Sequence, residues 1–183
     1  MNRRVERLSS SNIDDFFKVH SGECGWCYCT AWWVPNWEGW TERTDEQNRI
    51  FREELLQRGE YDGYLLFLDD QPAGWCQVGQ RDRLHKLVKQ YNLEPNPEIW
   101  AITCFVIRPE YRRQGLASYM LKVILEDMKF RGVKIIEAYS KRTESKNAGE
   151  HWKGPEEMYL NAGFKTERDD PSRPVLSIHF IIE

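Results

Sequence analysis

Residues 103–128, TCFVIRPEYRRQGLASYMLKVILEDM, constrain the fold of this chain more than any other stretch. The segment opens with strand formers, Cys104, Phe105, Val106 and Ile107. It turns at Arg108-Pro109-Glu110-Tyr111 and then takes up a helical period. Apolar residues recur at Leu116, Met120, Ile124 and Met128, flanked by Leu121 and Leu125, and make one helix face. The order is therefore buried strand, basic turn, helix. The first N–H groups of such a helix have no partner inside it and carry partial positive charge. A phosphate fits there. Gly115 has no side chain to obstruct it, Ala117 almost none, and Arg112 and Arg113 add charge at the mouth. The competing reading of Gly115 is a helix start that needs only a small residue.

Other phosphate loops fail on spacing. The chain has no G-x-x-x-x-G-K-[ST], and nothing at Gly115 continues as G-x-G-x-x-G. A second feature lies downstream, where Tyr159-Leu160-Asn161-Ala162-Gly163-Phe164 reads as a helix ending at a glycine before a strand.

The pattern R-x-x-G-x-A, filled by Arg112, Gly115 and Ala117 after a strand ending V-I-R-P-E-Y, resembles the acetyl-CoA-binding motif of the GNAT acetyltransferase superfamily. The downstream segment is similar to the family's Y-x-x-x-G-F. The resemblance implies a GNAT-like acyl-CoA N-acyltransferase fold, an α/β (α+β) central mixed sheet with helices on both faces. It implies acetyl-CoA as co-substrate, with no metal. In the family, the main strand separates from its parallel neighbour, and its free backbone groups hold the pantetheine arm. Phe105, Val106 and Ile107 stand at that place. Arg112, Arg113, Gln114, Gly115, Leu116, Ala117 and Ser118 would hold the pyrophosphate. A backbone N–H at the same strand end would receive the oxyanion, and Tyr159 would give a proton to the departing thiolate; the competing reading of Tyr159 is a tyrosine that packs its helix against the sheet. Two departures from the family stand out. Thr103 lies where many members carry a glutamate base, and Trp152 lies where they often have a cofactor-binding Asn. Glu98, Glu23 and Glu137 are the remaining candidates for the base.

The length of 183 residues predicts a single domain over residues 1–183. A net charge of −3 argues against a nucleic-acid partner. No apolar run is long enough to span a membrane, and the amino terminus has no apolar signal region. Five cysteines without a secretory signal predict reduced thiols and a cytoplasmic protein.

Taken in order, residues 4–8 read as a first strand, and Ser11 as the cap of a helix with Ile13, Phe16, Phe17 and His20 on its apolar face. His20 reads as a packed histidine. Residues 21–40 hold Cys24, Cys27 and Cys29 and five of the eight tryptophans: Trp26, Trp32, Trp33, Trp37 and Trp40. His20 and these cysteines have soft-metal chemistry but lack paired ligand spacing. The tryptophans are either an aromatic wall over the acceptor pocket or plain core. Thr44-Asp45-Glu46-Gln47 is a capping box. The helix it opens turns Ile50, Phe51 and Leu55 inward and sets Arg49, Arg52, Glu53 and Arg58 on a solvated face.

Residues 62–68 and 73–78 read as antiparallel strands joined by a turn over residues 69–72. A helical insert over residues 81–91 either lines the acceptor pocket or forms a homodimer contact. Residues 98–107 are the central strand and residues 133–139 its parallel neighbour. A polar loop over residues 140–154 leads to a short helix at residues 155–162. Residues 164–168 and 175–182 close the sheet as a hairpin.

The expected function is transfer of acetyl from acetyl-CoA to a small-molecule or peptide amine, by direct attack in a ternary complex. Two alternatives stand beside it. One is a non-catalytic acyl-CoA-binding module. The other is a metal- or redox-sensing domain built on Cys24, Cys27 and Cys29.

Overall fold

A computed structural model describes residues 2–21, 25–140 and 156–181. Its strands are β1 (Arg3–Arg7), β2 (Gly63–Leu68), β3 (Gln71–Gln80), β4 (Ile99–Ile107), β5 (Ile135–Tyr139), β6 (Lys165–Arg168) and β7 (Val175–His179). They form one sheet in the order β1-β2-β3-β4-β5-β7-β6. Only β4 and β5 run parallel. Parallel neighbours need a long crossover, and the helix α4 (Leu116–Phe130) supplies it. The remaining helices are α1 (Ile13–Val19), α2 (Asp45–Gln57), α3 (His85–Tyr91) and α5 (Glu156–Asn161).

Each face of the sheet buries its own core. Leu116, Met120, Leu121, Ile124, Leu125 and Met128 of α4 pack with Met158 and Tyr159 of α5 on one side. The helical period read from the sequence marks this face correctly. Each such side chain contributes roughly 1.5–3 kcal/mol relative to exposure. The other face holds Phe16, Leu55, Leu87 and Tyr91 from α1, α2 and α3, together with Cys29, Trp32 and Trp33. Mixed sheet and two-sided helical cover agree with the expected fold class.

Local differences from the sequence reading have simple causes. The β2–β3 hairpin closes in two residues, because Asp69 and Asp70 both adopt left-handed backbone (φ 44° and 66°). Gln71 and Pro72 therefore pair in β3 instead of turning. The first helix is capped by Asn12, not Ser11. Asn12 spends its side chain on Ser9 N–H (2.8 Å) and Arg7 O (3.0 Å), which fixes the entry of the chain. The capping box of α2 forms as expected, with Gln47 N–H donating to Thr44 Oγ1 and Thr44 N–H to Gln47 Oε1. The buried stripe of α2, however, is Asn48, Arg52 and Leu55, while Ile50 is 49% exposed. Arg52, expected in solvent, is fully buried.

Candidate functional site

The sheet opens where the central strand changes partners. Residues 99–102 of β4 pair with residues 135–138 of β5. Beyond Ile102 that pairing ends, while Cys104, Phe105, Val106 and Ile107 stay paired to β3 on the other side. A bulge marks the point of departure. Gln77 pairs with Cys104 and Val78 with Ile102, so Thr103 is the extra residue. Past it, β4 has no strand on its β5 side among the described residues, which leaves an edge able to receive an extended ligand.

At the end of that edge the chain turns into α4. A 3-10 turn at Pro109–Tyr111 leads to Arg112, whose Nε–H donates to Ile107 O at 2.9 Å and ties the turn back to the strand. Arg113 and Gly115 are both left-handed (φ 63° and 70°), with Gly115 as the N-cap of α4. Alternation of this kind points successive N–H groups into one concavity. The N–H groups of Arg113, Gln114, Gly115, Leu116, Ala117 and Ser118 have no acceptor among the described residues; the first bond of the turn is Tyr119 N–H to Gly115 O at 3.1 Å. A Cβ on Gly115 would meet nothing within 4 Å, so the space in front of the turn is open.

Tyr159 enters the core from α5, on the α4 side of the sheet. It is fully buried and meets Phe164 edge-on at 5.3 Å. Burial pushes its phenol well above the usual range, with smaller contributions from the nearby thiols of Cys76 and Cys104. It is held as a neutral phenol. The structure thus has a β4 edge without a strand partner among the described residues, a turn of N–H groups at its end, and a fully buried, protonated tyrosine on the α4 side of the sheet.

The acetyltransferase (GNAT) family model matches residues 26–151. The chain belongs to the GNAT family. Similar solved structures cover almost the whole chain at low identity. One is the PaiA N-acetyltransferase of Thermoplasma acidophilum in complex with coenzyme A, at 16% identity and a TM-score of 0.60, covering 98% of this chain and 100% of that one. Another is an acetyltransferase from Thermus thermophilus, at 15% identity and a TM-score of 0.61, covering 98% of each chain. A third is the ribosomal-protein-S18-alanine N-acetyltransferase of Escherichia coli, at 12% identity and a TM-score of 0.58, covering 100% and 96%. No curated protein sequence matches.

On this GNAT scaffold the sheet face opposite α4 carries a second set of polar groups. His20 is 1% exposed, with Nδ1 2.9 Å from Phe16 O. A carbonyl only accepts, so Nδ1 carries the proton and Nε2 presents its lone pair to Cys29 Sγ at 3.4 Å. Cys29 Sγ lies 3.0 Å from Cys104 Sγ on β4. Burial, assisted by the charge of Arg52, pushes His20 down to about 3. The Cys29 thiol is pushed up by burial, and the Cys27 thiol first by its hydrogen bond with Cys29 and then by burial. Among the described residues no group of three His, Cys, Asp or Glu side chains is placed to hold a metal. Cys24 lies outside the described residues.

The tryptophan segment divides its work. Trp32, Trp33 and Trp40 are buried, whereas Trp26 and Trp37 are 44% and 51% exposed. Lys86 of α3 is buried against them, with Nζ 3.1 Å from the Trp37 ring centroid and 4.5 Å from that of Trp40. Burial lowers this amine to about 8. Of the carboxylates offered as bases, Glu98 is exposed just before β4. Glu137 is bound by Arg81 Nη1 (2.9 Å) on one oxygen and by the Tyr139 hydroxyl (2.5 Å) on the other. Glu23 and Trp152 lie outside the described residues. The sequence reading missed Arg52, Cys104 and Arg81 as parts of this face. Only the i, i+4, i+7 spacing of Asn48, Arg52 and Leu55 hinted at the first.

Proposed function

We propose that this protein transfers an acetyl group from acetyl-CoA to an amine acceptor by direct attack in a ternary complex. The observation that carries the reading is the run of six N–H groups from Arg113 to Ser118 that have no acceptor among the described residues, at the end of the β4 edge that no described strand covers. The pyrophosphate would lie in that turn, against the positive end of α4, with Arg112 and Arg113 beside it. The pantetheine arm would run along Phe105, Val106 and Ile107, completing the ladder that β5 leaves open. The acetyl carbonyl would then lie near the bulge at Thr103, where a β4 N–H can receive the oxyanion.

The amine attacks the thioester carbonyl as a neutral nucleophile, and the C–S bond breaks as the tetrahedral intermediate collapses. Tyr159 would donate its proton to the sulfur, while the proton shed by the attacking nitrogen passes to water, from which the phenolate is reprotonated. Burial raises the phenol, but the departing thiolate forms in the same low dielectric and is raised with it, so donor and acceptor stay matched. An amine acceptor is the chemistry of the N-acetyltransferase neighbours, one of which is named for a protein alanine.

Thermal unfolding with acetyl-CoA, followed by release of CoA thiol on a panel of amines, tests the reading. Acetyl-CoA at a hundred times its Kd should stabilise the fold by about 2.7 kcal/mol, or roughly 5–10 °C for a domain of this size. A shift without turnover of any amine would favour the acyl-CoA-binding module. No shift with acetyl-CoA, combined with destabilisation by a chelator, would favour the metal-sensing alternative.

A further inference from the structure

Arg52 is the least expected side chain in the molecule. It projects from α2 into the core, and its residue has 0% exposure. Its guanidinium carbon lies over three aromatic rings, 4.1 Å from the Phe16 centroid, 2.9 Å from Tyr61 and 5.0 Å from Trp75. These rings stabilise the faces of the cation. They do nothing for the N–H groups in its plane, and Nε, Nη1 and Nη2 all lack a hydrogen-bond partner among the described residues. Burial works against its charge; the groups that favour it are Cys29 first, then Cys104, and last the carboxylate of Asp62. Both its oxygens are already taken, Oδ2 by Arg7 (3.0 Å) and Arg131 (2.9 Å) and Oδ1 by Gly63 N–H (2.8 Å). A guanidinium does not escape this position by losing its proton. A buried charge left this way is costly unless an anion completes it.

The surroundings point the same way. Gln77, on β3 two residues from Trp75 and on the same face, is also fully buried, with neither Oε1 nor Nε2 hydrogen-bonded. Gln77 is the cross-strand partner of Cys104, and Trp75 that of Val106. Arg52 therefore lies over β3, the strand next to β4, on the face that Gln77 shares. A cleft of ≈ 640 Å³ lined by Trp26 and Tyr28 reaches His20, which stacks on Phe16 at 4.1 Å. The cleft thus ends against the wall of the Arg52 cage.

We propose that Arg52 anchors a carboxylate on the amine acceptor, so that the substrate is an amine that also carries a carboxylate, such as an amino acid. The planar fork of a guanidinium matches a carboxylate through two parallel N–H···O bonds, and Gln77 Nε2 is a further donor on the same face. The inference rests on the acetyl-transfer reading above.

Matched amines that differ only in the carboxylate test it: L-lysine against cadaverine, and L-phenylalanine against phenethylamine, with ethanolamine against O-phosphoethanolamine as a control for other oxyanions. For the wild-type protein kcat/KM should be roughly tenfold to a hundredfold higher for the carboxylate member of a pair, the size expected of hydrogen bonds to a charged group. Arg52→Met should bring that ratio close to one. It should also leave the Tm of the ligand-free protein unchanged or raised, because an apolar isostere removes a buried charge that has no internal partner. Equal rates within every pair would overturn the anchor while leaving acetyl transfer standing, and so would preference for the phosphate alone. A large fall in Tm for Arg52→Met would overturn it whether or not any amine reacts. So would thiolate absorbance near 240 nm that disappears in Cys104→Ser, since Arg52 would then have an internal counter-ion. Failure to acetylate any amine, with the Tm of Arg52→Met maintained, would count against the transfer reading instead.

Discussion

Two substitutions at Gly115 separate the backbone role of this residue from its role toward the cofactor. Gly115 is left-handed at φ 70°, and a Cβ there would meet nothing within 4 Å. The stability cost of any side chain is therefore the intrinsic cost of that backbone conformation, about 1–2 kcal/mol. For a domain of this size that is about 2–8 °C in Tm. Gly115→Ala and Gly115→Glu should share this loss. Their effects on acetyl-CoA should differ. The glutamate would place a negative charge at the mouth of the turn. At about 4 Å from one pyrophosphate charge and an effective dielectric of about 20, repulsion is about 4 kcal/mol, or roughly a thousandfold in Kd. Gly115→Ala adds only a methyl group facing open space and should weaken binding by less than about tenfold. Calorimetric titration of both variants with acetyl-CoA, beside their thermal melts, reads the two effects independently. Wild-type affinity in Gly115→Glu would refute the placement of the pyrophosphate. Equal loss of affinity in both variants would mean that backbone distortion, and not charge, explains the effect.

Other consequences can be checked separately. Tyr159→Phe should lower kcat by about a hundredfold, within the usual range for a lost general acid, with acetyl-CoA affinity nearly unchanged; wild-type kcat across pH would remove Tyr159 from the mechanism. His20 is pushed from 6.5 to about 3 by burial. Below its ordinary range the unfolded chain takes up a proton that the folded state refuses, so stability should be complete above about pH 6.5 and fall steadily toward pH 3. The integrated loss is about 5 kcal/mol at 1.36 kcal/mol per unit. Urea melts of His20→Gln should show a flatter dependence over that window than wild type, and parallel curves would contradict the assignment. Gly63→Ala should cost about 1–3 kcal/mol by overpacking, because its Cβ would overlap the Trp75 ring and lie 2.8 Å from Cys76 O; an unchanged Tm would show that Trp75 can move aside freely.

The turn into α4, proposed here for the cofactor, was legible in the sequence because its features are those of the backbone. A turn that presents N–H groups needs small residues and left-handed positions at fixed spacing, and Arg112, Gly115 and Ala117 announce it within six residues. The polar face opposite α4 is built the opposite way. Cys29 meets Cys104 across 75 positions, and Arg81 meets Glu137 across 56. No local period records such pairs. Arg52 shows the deeper difficulty. Read in its helix, with Arg49 and Glu53 as neighbours, it looks like one more solvated charge, because a charged residue is almost never fully buried without a partner. The rule that made the sequence reading fail gives the structure its meaning. Local patterning specifies a stable core, and departures from it concentrate where a molecule must meet something other than itself. Gly115 departs in backbone conformation and Arg52 in buried charge. The first is proposed to serve an anionic cofactor and the second an anionic group on its reaction partner.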